Sequence, residues 1–193
     1  MPVSTYAGGV SSTTGKPGRP KAISREMLAE AACELFLERG YEQTSVADIA
    51  MRAGVGRSSF FNYASSKGEL LWGSLDERIA QARLAAESGS LAHEAVRGIA
   101  AGFVPDALAL AFANADAMQI EDHLEREAAL RMWRIAALAA GALRREGVEQ
   151  TAAEVRGGAY GAAAISAIRS WSTSGAGSGP LGGHLDRALA VIG

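Results

Sequence analysis

Residues 45–64, SVADIAMRAGVGRSSFFNYA, constrain the fold more than any other stretch of this chain. Ser45 is placed to cap a helix, and Asp48, three residues on, makes a pattern close to a capping box. Val46, Ile49, Ala50 and Ala53 recur at helical spacing and form one apolar stripe. Gly54 stops that helix, because glycine takes the left-handed geometry just past a helix end at little cost. Val55 fills the corner. A second helix is expected from about Arg57 to Tyr63, with Phe60 inward and Arg57, Ser58, Ser59, Phe61, Asn62 and Tyr63 on its other faces. Two short helices joined this tightly read as a helix-turn-helix whose second helix enters a major groove. The side chains have the chemistry for base reading. Arg pairs with guanine, Asn with adenine, and Ser reaches base edges or phosphates.

The flanking sequence extends the pattern. Ser24 begins a helix that runs to Arg39, with Met27, Leu28, Ala31, Leu35 and Phe36 on one face, and Gly40 ends it. Phe36 and Phe60 are expected to share one small core, with Tyr41 capping it. Ser66 and Glu69 form a second capping-box pattern, which opens a long helix to about Glu87 with Leu71, Leu75, Ile79 and Ala82 inward. Residues 91–193 read as helical throughout by period. Helices are expected over 91–103, from Pro105 to 114, over 121–145 and 151–172, and over 184–192, with a flexible loop over 175–183. Residues 1–21, rich in Gly, Ser, Thr and Pro, read as a flexible arm made basic by Lys16, Arg19 and Lys21.

Across AEAACELFLERGYEQTSV, DIAMRAGV, FFNY and SKGELL, roughly residues 24–75, the chain resembles the TetR family of bacterial transcriptional regulators. The four segments stand in the family's order and spacing. The resemblance implies an all-α protein of about nine helices. Its three-helix, N-terminal helix-turn-helix DNA-binding domain, residues 22–82 with the motif at 45–64, continues through a linking helix. A C-terminal helical domain for ligand binding and dimerisation follows at 83–193. The carry-over makes Thr44, Ser45, Arg57, Ser58, Ser59, Phe61, Asn62, Tyr63 and Lys67 the DNA surface, with Lys67 approaching a phosphate. Two positions depart from the family. Phe61 stands where Tyr is common, which removes a phosphate-bonding hydroxyl but leaves a ring for a thymine methyl. Ala64 stands where Phe is common, which takes an aromatic from the small core. The combination FFNY, SK, LLWG and LDERI is similar to a subgroup with an acyl-CoA-like ligand domain.

Charge agrees with that division of labour. The formal net charge is −2, yet residues 1–67 hold eight Lys and Arg against six Asp and Glu. The single cysteine, Cys33, excludes an internal disulfide and a multi-cysteine zinc site, and reads as a buried thiol. No apolar run reaches the ~18 residues of a membrane span, so a soluble, cytoplasmic protein is expected.

The residues show no catalytic set, and they call for no cofactor or metal. His123 beside Glu121, Asp122 and Glu125 reads as a solvated helix start. In the larger domain Phe103, Phe112, Met118, Met132, Trp133, Tyr160 and Trp171 supply bulk for an effector cavity. Arg131 and Arg134 stand ready either for an acidic ligand or for pairing with Glu127 and Glu125. Ala152, Val155, Ala159, Ala163, Ser166 and Ala167 offer a small-residue face for a homodimer, with Trp171 as an aromatic anchor. The expected function is a ligand-responsive repressor that binds a palindromic operator as a dimer and is released by a small hydrophobic or acyl-type effector. The alternatives are an activator, or a small-molecule binding protein or enzyme on a relic helix-turn-helix scaffold.

Overall fold

The computed structural model describes residues 24–175 and 179–192, and these form ten helices and no strand. The arm expected over residues 1–21 lies outside the described residues. In order the helices are α1 (Arg25–Arg39), α2 (Val46–Arg52), α3 (Arg57–Phe60), α4 (Glu69–Glu87), α5 (Ala92–Ala100), α6 (Ala107–Ala113), α7 (Ala115–Met118), α8 (Glu121–Arg145), α9 (Gln150–Thr173) and α10 (Leu181–Leu189). No described helix is long and apolar enough to cross a membrane.

The amino-terminal unit is built as its sequence pattern requires. Ser24 Oγ caps α1 by accepting the Met27 amide at 3.2 Å, and Gly40 closes the helix at φ 85°. Phe36 and Phe60 are both wholly buried in the small core. Burying rings of that size stabilises the unit by about 2–3 kcal/mol each. Ala64 is buried as well.

Helix α4 ties this unit to the rest, with Leu71, Leu75, Ile79 and Ala82 all buried on one stripe. Its start departs from expectation. Ser66 Oγ accepts the Glu69 amide at 3.2 Å, but the Glu69 carboxylate takes the Ser65 amide at 2.7 Å rather than closing a box with Ser66. Residues 65–68 form a turn before α4 winds, and that turn brings the Ser65 amide to the carboxylate. The Arg78 guanidinium donates to Ile99 O and Gly102 O at 3.5 and 3.1 Å and so satisfies carbonyls at the end of α5.

The larger domain is organised on the α8–α9 pair. A Cβ at Gly157 would lie 2.5 Å from Ala136 O, and one at Gly161 would lie 2.4 Å from Met132 O. Glycine at these two places is therefore what lets the helices touch. Small-residue packing also draws Ala163 and Ala167 into the subunit core, so neither belongs to an exposed dimer face.

Several boundaries shift for local reasons. Asp106 caps α6 through Oδ1, which accepts the Leu108 and Ala109 amides at 3.1 Å each, so Pro105 sits outside the first turn. Helix α10 begins at Leu181, just after Pro180, three residues before His184. The one element with no forewarning is α7. It closes at Gln119, which is left-handed at φ 52°, and the Tyr41 amide donates to Met118 O at 2.8 Å.

Candidate nucleic-acid interface

Helix α2 is locked at its start. Ser45 Oγ accepts the Asp48 amide at 3.2 Å, and Asp48 Oδ2 accepts the Ser45 amide at 2.9 Å, which completes the capping box. These bonds hold the Asp48 carboxyl below its ordinary range: the Ser45 hydroxyl contributes most, then the Ser45 amide. Gly54 turns the chain at φ 70°. Gly56 then caps α3 from an extended conformation.

The reader is shorter than expected. It is α-helical over Arg57–Phe60 only, and then tightens into turns in which the Asn62 amide donates to Ser59 O at 3.2 Å and the Tyr63 amide to Phe60 O at 2.9 Å. The expected seven-residue helix therefore ends as three-residue turns, a common finish where the next segment must reverse direction. Arg57, Ser58, Phe61 and Asn62 are exposed, Ser59 and Tyr63 are half-buried, and Phe60 alone points fully inward. The side chains of Arg57, Ser58 and Asn62 have no hydrogen-bond partner among the described residues, so their donors face outward unspent. Phe61 packs edge-on against Phe60 with centroids 5.4 Å apart while half of its surface stays open.

Two predicted DNA residues are occupied within the fold. Thr44 is buried, and its Oγ1 donates to Gly40 O at 2.9 Å and Leu35 O at 3.4 Å. Its hydroxyl faces the core because residues 40–44 fold back under α1, and it is not on the DNA surface. Lys67 is half-buried; Nζ donates to Tyr41 O at 2.6 Å and Thr44 O at 3.0 Å, and lies 4.0 Å from the Tyr41 ring centroid. Burial lowers its pKa from 10.5. Two of the three ammonium protons thus pin the α1–α2 connection, and the third lies outside these bonds.

Sequence reasoning missed how this unit is joined to the larger domain. Tyr41 stacks on His123 at 4.6 Å between centroids, and a Cβ at Gly68 would fall 2.2 Å from His123 Nε2. A histidine read as a solvated helix start is therefore a junction residue, and burial lowers its pKa from 6.5. No local signal reveals this, because the partners are about eighty residues apart in sequence.

The family profile described as bacterial regulatory proteins, tetR family, matches residues 28–71, the segment that runs from α1 into α4. The chain carries a TetR-family domain. A candidate mycofactocin biosynthesis transcriptional regulator of Mycobacterium tuberculosis is 36% identical over 64 residues, 33% of this chain and 32% of that one. The HTH-type transcriptional repressor KstR2 of Rhodococcus jostii is 38% identical over 81 residues, 40% of this chain and 37% of that one. These matches span only about a third of the length of each relative. Beyond the TetR-family domain, the crystal structure of AmtR from Mycobacterium smegmatis is similar with a TM-score of 0.51 at 26% identity, covering 92% of this chain and 90% of that one.

The residues expected to line an effector cavity do not meet at one place. Phe103 packs edge-on against Trp171 at 5.6 Å, and Phe112 against Trp72 at 5.8 Å. Trp171 Nε1 donates to Gly179 O at 3.0 Å, so this ring serves the subunit interior rather than an interface. Met118 is wholly buried at the junction with Tyr41, Tyr160 is half-buried on α9, and Met132 and Trp133 are exposed on α8. Of these, Trp133 borders a groove of about 530 Å³ between α4 and α8. Arg131 is buried against Asp76 of α4 and against Glu127, and Arg134 also reaches Asp76, at 3.2 Å. Both arginines therefore have carboxylate partners from the chain itself.

Proposed function

We propose that this protein is a DNA-binding transcriptional regulator: a repressor that binds a palindromic operator as a homodimer and is released by a small-molecule effector. The observation that carries the reading is the exposed group Arg57, Ser58 and Asn62, with unspent hydrogen-bonding capacity, on a helix anchored by the buried Phe60. Ser45, Ser59, Phe61, Tyr63 and the remaining proton of Lys67 complete the surface around it. Such a regulator works on chromosomal DNA in the cytoplasm.

A helix-turn-helix reads one half-site, so two copies with readers about 34–36 Å apart match a palindrome. The exposed stripe of α9, with Val155, Gly158, Ala162 and Ser166, suits close helix approach between copies. The groove between α4 and α8 suits an acyl-type effector with an anionic group, because Trp133 offers apolar surface beside Arg83 and Arg145. Helix α4 and the Tyr41–His123 junction both run from that domain to the reader. An effector that favours one reader spacing over another needs only a few kcal/mol of differential binding to release DNA.

Selection of bound DNA from a random pool tests the reading. A palindromic sequence is expected to emerge, and Arg57→Ala and Asn62→Ala are each expected to cost about 1–3 kcal/mol on it and to relax base preference. A pool with no enriched sequence refutes the reading. On a promoter carrying the recovered site, a fall in transcription distinguishes a repressor from an activator.

A further inference from the structure

A cleft of about 620 Å³ opens between α1, α4 and the α5–α6 connection, where the amino-terminal unit meets the larger domain. That volume lies within the roughly 300–1,000 Å³ typical of small-molecule sites. Its walls divide by chemistry. Leu37, Val104 and Leu110 border it, and they are 44%, 67% and 41% exposed, among the most open large apolar side chains of the fold. Glu26, Glu30 and Asp106 border it too, and no Lys or Arg among the described residues lies within ion-pair distance of these three. The cationic lining residue, Arg25, is turned to Glu69 at 3.4 Å, and Arg52 neutralises Glu34 from outside at 3.0 Å.

The same carboxylates act on the buried Cys33 thiol. Burial pushes its pKa up to about 12, and Asp106, Glu30 and Glu34 act in the same direction. Uncovered apolar surface beside exposed carboxylates that have no ion-pair partner matches a solute that is both apolar and cationic.

We propose that this interdomain cleft binds a lipophilic organic cation, with Leu37, Val104 and Leu110 taking its apolar body and the exposed Glu26 and Glu30 its charge. The site is separate from the groove between α4 and α8, and its occupant touches both the reading unit and the larger domain. It does not depend on the DNA-binding proposal, because its test needs no operator. Either can fail while the other stands.

Calorimetric titration of the full chain with tetraphenylphosphonium, beside its isosteric anion tetraphenylborate, decides the matter. Saturable one-to-one binding of the cation and none of the anion is expected. A carboxylate about 6 Å from the bound charge in a solvated cleft is worth about threefold in affinity, so E26Q/E30Q is expected to bind the cation about tenfold more weakly. Both glutamates are exposed, and the variant is expected to keep the wild-type circular dichroism. Leu110→Ser, also on the surface, is expected to weaken binding through the apolar wall alone. Equal binding of the two ions, absence of cation binding, or unchanged affinity in both variants overturns the proposal.

Discussion

Replacing Asp76 by Ala tests how the larger domain grips α4. Arg131 is only 3% exposed, and it meets Asp76 with two bonds, Nε to Oδ1 at 3.1 Å and Nη2 to Oδ2 at 2.7 Å. Its guanidinium also lies 4.6 Å from the Trp72 ring centroid and pairs with Glu127. Removing one partner of a buried pair generally costs about 3–5 kcal/mol, because the other charge is left in a poorly solvated place. Here Glu127 remains, and the Asp76 side chain is 26% exposed, so the expected loss is about 2–3 kcal/mol. In a chain of this size that corresponds to a fall in Tm of roughly 4–12 °C, or in the urea midpoint of about 1 M. Urea unfolding followed by circular dichroism at matched protein concentration measures it. If the loss comes from the orphaned charge, D76A/R131M is expected to recover part of it, since the methionine can fill the slot against Trp72. A loss under about 0.5 kcal/mol, or a double variant no more stable than D76A, refutes the reasoning.

Three further outcomes are expected. Gly157→Ala puts a methyl 2.5 Å from Ala136 O and must push α9 off α8, at a cost of about 1–3 kcal/mol in thermal unfolding. Thr44→Val keeps the shape but loses the hydroxyl that donates to Gly40 O and Leu35 O, which costs about 1–2 kcal/mol of stability. The folded variant is expected to keep wild-type affinity in a gel shift with the selected operator, since that hydroxyl faces inward. His123 has a folded pKa below 6.5, because burial disfavours its charge. Its contribution is therefore present above pH 6.5 and lost as the pH falls through the folded value. In a pH series of unfolding curves, His123→Phe, which keeps a ring against Tyr41, is expected to remove that part of the acid slope.

Local chemistry was legible where neighbours in sequence are neighbours in space. Ser24, the Ser45–Asp48 box, Gly54 and the inward Phe60 all act within a few residues, so their roles could be read in chain order. The Glu127–Arg131 pair, one helical turn apart, was legible for the same reason. The exposure of Arg57 and Ser58 at the start of α3 was legible too, because a four-residue helix and a seven-residue one present the same outward side chains there.

What the linear order could not carry was the destination of long side chains. Lys67 and Thr44 match positions of a DNA surface, yet Thr44 spends its hydroxyl, and Lys67 two of its three protons, on residues 35–44. His123 reads as a solvated helix start and Arg131 as a partner for Glu127 or an acidic ligand, yet His123 meets Tyr41 and Arg131 meets Asp76, 82 and 55 residues away. Nothing local marks Gly157 and Gly161 as contact points until Ala136 and Met132 stand against them. By itself, then, the sequence determined the helical class, the helix-turn-helix and the outward face of its reader, because capping, periodicity and glycine turns are short-range effects. Only the tertiary structure decided which polar groups are consumed inside the protein, where the apolar surfaces are left uncovered, and how the two parts are joined. A flexible side chain finds its partner through packing that no single segment contains.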